Sequence, residues 1–145
     1  MDIDFIEDRL QQKKIRPTAM RLLVYNVLKE AKGAISLTDI ETIFQTNSAL
    51  EIPVDRTTIY RTVKTFEKKG VAHAIDQGNG VMAYAICQSN CEENHHRDTH
   101  LHFFCERCKK TSCLRDQQIP KVVLPTGYEI HDLSFIAKGI CDQCA

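Results

Sequence analysis

Two short cysteine pairs constrain this chain more than any other feature. Cys105-Glu-Arg-Cys108 and Cys141-Asp-Gln-Cys144 form a C-x2-C, 32-residue, C-x2-C array. Two residues between paired cysteines let both thiolates reach one ion. Two such pairs complete the all-thiolate tetrahedron that Zn²⁺ favours. Left without metal, four reduced thiols would make that end of the chain floppy and oxidisable for no gain. The array therefore predicts a structural Zn²⁺ at Cys105, Cys108, Cys141 and Cys144. The segment from residue 100 onward is too short to bury much core alone, so it should depend on its metal and on pairing with a second subunit.

A chain of 145 residues makes one large domain or two small ones. No apolar run approaches the roughly 18 residues of a membrane span, so no membrane association is expected. The start, Met1-Asp-Ile-Asp-Phe-Ile-Glu-Asp8, is acidic where a signal peptide is basic. The expectation is a cytoplasmic protein in a reducing compartment, where metal or redox chemistry outranks disulfides. Net charge is zero, yet Lys13 to Lys69 holds 11 Lys/Arg against 6 Asp/Glu, and Gly70 onward holds 7 against 9. A basic half beside an acidic, Cys/His-rich half suggests that one meets a polyanion and the other holds cations.

Hydrophobic periodicity gives the order of elements. Asp4–Lys13 reads as a short helix with Phe5, Ile6 and Leu10 on one side. Thr18 caps a second helix, in which Met20, Leu23, Val24, Val27 and Leu28 recur at helical spacing; Lys32-Gly33 ends it. Ser36 caps a third helix with Asp39 as capping-box partner, turning Leu37, Ile40, Ile43 and Phe44 inward. A loop follows over Thr46–Pro53. Asp55 caps a fourth helix with Ile59, Val63 and Phe66 as its buried stripe, stopped by Gly70. The period then changes to that of strands. Val71–Ile75 and Val81–Ile86 flank the turn Gln77-Gly-Asn-Gly80. Helices ending in a recognition-type helix and then a hairpin give the order of a winged helix-turn-helix. Beyond Cys87–Thr99, a polar connection, His100–Cys105 and Lys110–Leu114 look like strands. Gln117–Leu124 looks weakly helical, and Tyr128–Ala137 looks like a strand. The fold class is α+β: residues 1–86 a winged-helix DNA-binding domain, 87–99 a hinge, and 100–145 a small α/β metal-binding domain.

The fourth helix carries the nucleic-acid argument. With Ile59, Val63 and Phe66 inward, Arg56, Thr57, Tyr60, Arg61 and Lys64 share its outer side. Threonine hydroxyls bond phosphates, tyrosine offers a flat edge to a thymine methyl, and arginine reads guanine or clamps phosphate.

Arg16-Pro-Thr-Ala-Met-Arg21, Thr58-Ile-Tyr-Arg-Thr62, His100-Leu-His102 and both C-x2-C pairs stand in one order across nearly the whole chain. In this the chain resembles the ferric uptake regulator (Fur) superfamily of bacterial metal-responsive repressors. The resemblance implies a homodimer whose winged helices sit on an AT-rich inverted repeat of double-stranded DNA, with a C-terminal dimerisation domain. It places a basic residue for the minor groove at Arg16 and a base-contacting tyrosine at Tyr60. Arg21 and Thr58 belong to the same motifs.

The resemblance also implies a sensory metal site between the domains, at positions held here by His73, Cys87, His100 and His102. Cys113 stands where many members carry an acidic ligand. Ala34 stands where iron and peroxide sensors draw a further ligand. Cys87 ends the second wing strand in a thiol, as in zinc uptake regulators. Thiolate with imidazole suits Zn²⁺, whereas carboxylate-rich shells suit Mn²⁺ and are common for Fe²⁺. His100 and His102 alternate by two and so share a strand face. A second Zn²⁺, or another divalent metal, is therefore the expected regulatory ion, with four of those five residues as ligands. A third family site is not expected, because Leu101 and Leu133 stand at its positions. Cys91, His95 and His96 lie in a polar loop. An iron-responsive or peroxide- and thiol-responsive regulator is the alternative, given three cysteines outside the four-thiolate array. An enzyme is not expected, since no H-x-E accompanies the cysteines and both shells look closed.

Overall fold

The computed structural model describes residues 1–31, 33–46, 54–78, 80–87, 100–114, 116–131 and 133–145. The expected hinge beyond Cys87, most of the expected loop (47–53), and Cys91, His95 and His96 lie outside the described residues.

Four helices build the N-terminal half: α1 (Ile3–Gln12), α2 (Ala19–Glu30), α3 (Leu37–Thr46) and α4 (Arg56–Lys68). Side-chain oxygens cap each start, satisfying amides that the helix itself leaves unpaired. Asp2 accepts from Phe5 N at 3.1 Å, Thr18 from Arg21 N at 3.3 Å, Ser36 from Asp39 N at 3.2 Å and Asp55 from Thr58 N at 2.7 Å. Helix α4 ends on Gly70, whose φ of +78° suits glycine. There Val71 N bonds Phe66 O and Gly70 N bonds Glu67 O, the paired bonds of a Schellman motif.

The predicted apolar stripes meet in one core. Ile6, Leu10, Val24, Leu28, Ile40, Ile59, Val63 and Phe66 are all buried there, each such large side chain contributing about 1.5–3 kcal/mol. Tyr25, which the periodicity does not single out, joins them and meets the Phe66 ring edge-on at 6.2 Å. Phe5 and Ile43 remain exposed instead of turning inward. The Phe5 ring is covered by the Lys29 ammonium at 4.6 Å.

The strands are β1 (Gly33–Ser36), β2 (Ala72–Asp76), β3 (Met82–Ile86), β4 (Leu101–Cys105), β5 (Thr111–Leu114) and β6 (Phe135–Gly139). β2 and β3 form the hairpin wing, with β1 beside β3, so α2-β1-α3-α4-β2-β3 is a winged helix. β4 pairs antiparallel with β5 and parallel with β6. β1 also pairs with β5, which joins the two sets into one sheet of order β2-β3-β1-β5-β4-β6.

Three local expectations fail. Residues 33–36 form a strand, where the sequence suggested only a helix end. Gln117–Leu124 is irregular rather than helical. Pro120 removes an amide donor there, and Val122, Val123 and Leu124 are exposed, so no buried stripe holds a helix. The last strand begins at Phe135, not Tyr128.

Candidate metal centres and nucleic-acid interface

The four-cysteine site is built from two turns. The first follows β4, where Lys109 N bonds Cys105 O and Lys109 itself adopts φ +64°. The second follows β6, where Cys144 N and Ala145 N both bond Cys141 O. Glu106 N bonds Gly139 O, and Arg107 donates to Cys144 O at 2.6 Å, so the turns are tied together without the sulfurs. Each cysteine offers a sulfur within 4.8 Å of the other three. The Cys108 and Cys141 sulfurs lie 3.8 Å apart. Bonds of about 2.3 Å in a tetrahedral shell put sulfurs about 3.8 Å apart, so this edge already fits Zn²⁺.

The electrostatics agree. Cys108 N and Cys141 N both donate to the Cys105 sulfur at 3.4 Å. Those two amides bring the Cys105 thiol down to about 6. Cys144 is pushed up to about 12, first by its hydrogen bond with the Cys141 sulfur and then by burial. A divalent cation at the centre would stabilise the thiolate against both influences.

The second cluster joins the two halves. His73 comes from β2, His100 immediately precedes β4, and His102 lies within it. All three rings are more than nine-tenths buried. One ring nitrogen from each lies within 4.8 Å of the other two. Ring centroids are 4.1 Å apart for His100–His102, 5.7 Å for His73–His102 and 5.9 Å for His73–His100. Cys87 is buried at the end of β3, held by its amide on Val71 O. Its sulfur is 3.6 Å from His73 Nδ1. Cys113 is opposite His102 in the β4–β5 register, so both share a face, but it stands outside the mutually close trio and is partly exposed. The structure thus brings His73, His100 and His102 together, sets Cys87 against His73, and leaves Cys113 at the flank. Buried imidazoles with a thiol form a donor set suited to Zn²⁺. His131 is exposed, 3.8 Å from Glu129.

Helix α4 presents Arg56, Thr57, Thr58, Tyr60 and Arg61 to solvent, with Lys64 half-buried at the edge. Its start is fixed by Asp55, whose carboxyl the Thr58 amide holds below the usual carboxylate range. Arg56 pairs with Glu41 of α3 at 3.3 Å. Lys64 pairs with Glu67 at 3.3 Å and lies over the Tyr60 ring at 5.8 Å. Arg21 donates to Arg16 O at 2.8 Å, which leaves Arg16 exposed and its turn braced. Sequence patterns marked Gly33 only as a helix end and Gln77 only as a turn residue, and gave no sign that these and Thr111 connect the halves across the sheet. Their partners lie tens of residues away, beyond the reach of any local signal.

Three comparisons bear on these sites. The chain matches the ferric uptake regulator family over residues 12–136. A curated relative, the ferric uptake regulation protein of Synechococcus elongatus, is 27% identical over 96 residues. That match spans 63% of this chain and 60% of the relative's length. Among solved structures, the Vibrio cholerae ferric uptake regulator superposes with a TM-score of 0.64 at 15% identity, covering 93% of this chain and 98% of its own. A zinc uptake regulator complexed with zinc and DNA superposes with a TM-score of 0.64 at 21% identity, covering 98% and 91%. With most of its length inside the family match and the family's fold throughout, this chain belongs to the ferric uptake regulator family.

Proposed function

We propose that this protein is a Zn²⁺-responsive, DNA-binding transcriptional repressor that works as a homodimer in the cytoplasm. One observation carries this reading: donors from the wing (His73, Cys87) and from the start of the second half (His100, His102) converge between the two halves. When bound there, a divalent ion supplies a cross-link between the halves. Thiolate and imidazole favour Zn²⁺ over Fe²⁺ or Mn²⁺. His73 and Cys87 lie on the wing against which α4 packs, so holding them fixes the pose of α4. That sets the separation of two recognition helices in a dimer. The shift requires the DNA-competent arrangement to bind metal more tightly than the open one.

Each remaining group has a role. Residues 1–86 are the DNA-binding domain, 87–99 the hinge and 100–145 the dimerisation domain, organised by metal on Cys105, Cys108, Cys141 and Cys144. Tyr60 and Arg61 meet base edges of an AT-rich inverted repeat, while Arg56, Thr57, Thr58 and Lys64 meet phosphate. Arg16 reaches the minor groove and Arg21 braces it. The exposed apolar residues Val123, Tyr128 and Ile130 supply the dimer surface.

The test is DNA binding by chelator-treated protein, titrated with buffered Zn²⁺, Fe²⁺ and Mn²⁺. Zn²⁺ should activate at the lowest free concentration. The Cys87→Ser/His102→Ala variant should stay a dimer, keep its four-cysteine metal and gain no affinity from added Zn²⁺. A fully zinc-dependent double variant would refute the assignment.

A further inference from the structure

We infer that Gly33, Gln77 and Thr111 are positioning residues for the interdomain histidine–cysteine site, holding β2 against β4 before any ion arrives. The inference rests on reading that site as a metal centre. Its starting point is the sheet. β2 and β4 are separated by β3, β1 and β5. Four strand spacings of a flat sheet come to about 19 Å. The His73 and His102 rings are 5.7 Å apart. The sheet must therefore fold back on itself, and the joint between its two halves is the β1–β5 pair.

That joint is unusually close. Gly33 pairs with Ser112 and Ala34 with Thr111. A Cβ on Gly33 would lie 2.0 Å from the Thr111 carbonyl oxygen, so no side chain fits there. Gln77, just past β2, donates from Nε2 to Thr111 Oγ1 at 2.7 Å, and both side chains are buried. Beside it, Gly78 has φ +80°, and the Lys138 ammonium of β6 occupies the place of its missing side chain.

These contacts fix the strands in two directions. Gln77 lies four residues beyond His73, about 13 Å along the same strand. Thr111 is opposite Phe104, two residues beyond His102. One buried hydrogen bond thus sets the sliding register of the two histidine-bearing strands, while the Gly33 joint sets their separation. A site so prepared spares the ion the entropy of assembling its own ligands. If the clasp opens, metal affinity is multiplied by the fraction of molecules still closed.

The test uses the full chain with its four-cysteine site loaded and its second site stripped. Thr111→Val leaves a buried amide donor without an acceptor, and Thr111→Ser restores the hydroxyl. Hydrogen exchange of segments 33–36 and 111–114 should quicken in Thr111→Val and return to normal in Thr111→Ser. Zn²⁺ affinity at the second site, measured by competition with a chromophoric chelator, should fall roughly 5- to 100-fold in Thr111→Val, with serine rescuing it. Unchanged exchange, or faster exchange with unchanged Zn²⁺ affinity, overturns the inference. The Cys87→Ser/His102→Ala variant separates this from the metal reading. Retention of the second Zn²⁺ there refutes the metal assignment, while protection of 33–36 in that variant still reports the clasp.

Discussion

Replacing Gly33 by alanine should open the joint between the two halves while leaving the helical core intact. The new Cβ would lie 2.0 Å from the Thr111 carbonyl oxygen and 3.0 Å from the Ser112 Cα, all of it backbone that no rotamer change can clear. Ordinary contact begins at 3.4 Å, so β1 and β5 must part by about 1.4 Å. That stretches a hydrogen bond of about 2.9 Å past 4 Å, where little remains of it. Overpacking of this kind costs about 1–3 kcal/mol, and alanine's better strand propensity returns at most about 1 kcal/mol of it. The damage should stay local, because β1 meets β3 through Ile35 and Ser36, not Gly33. Hydrogen exchange at residues 111–114 should therefore quicken about 5- to 30-fold. The unfolding free energy from urea titration of the helical signal should change by less than about 0.5 kcal/mol. Normal protection at 111–114, or helices that lose as much stability as the joint, would refute the reasoning.

Other outcomes follow from individual side chains. Phe66→Ala should cost about 3–5 kcal/mol in urea unfolding, since the ring is fully buried against Tyr25. Burial raises the Tyr25 phenol above its ordinary value, so its contribution is present below about pH 10 and lost as pH rises through the folded value. Tyr25→Phe should flatten that alkaline loss in urea midpoints taken from pH 9 to 11. Tyr60→Ala should weaken operator binding about 5- to 100-fold and random DNA less, whereas Lys64→Ala should weaken both alike and reduce the salt slope by about one. Arg56→Ala should change folding stability by at most about 1 kcal/mol, because its pair with Glu41 is exposed.

The helices were legible because their signals are local. Thr18, Ser36 and Asp55 each cap the helix that the sequence assigned to them, and Ile59, Val63 and Phe66 are the buried stripe. The four-cysteine array was legible for the same reason, as ligand spacing is short-range. β1 was not, because four residues are too few to show a period and its pairing comes from β3 and β5. His73, Cys87, His100 and His102 could be named as candidates from the family resemblance, but their convergence depends on the folded-back sheet, which no local pattern encodes. The weak helical reading of Gln117–Leu124 fails because Pro120 interrupts it and Val122, Val123 and Leu124 face solvent, so no packing holds a helix there.

The β1–β5 pair also orders events during synthesis. Gly33 and Ser112 are 79 positions apart, a closure that waits until the second half has left the ribosome. The winged helix, made of near neighbours, can fold first. Until β5 arrives, the Gly33–Ala34 edge of β1 has no partner and offers a template for another chain. The turns that bring Cys105, Cys108, Cys141 and Cys144 together follow β4 and β6, so that cluster too assembles only after the second half is made. Nascent chains halted before β5 is made should therefore carry that edge uncovered, prone to aggregation or proteolysis.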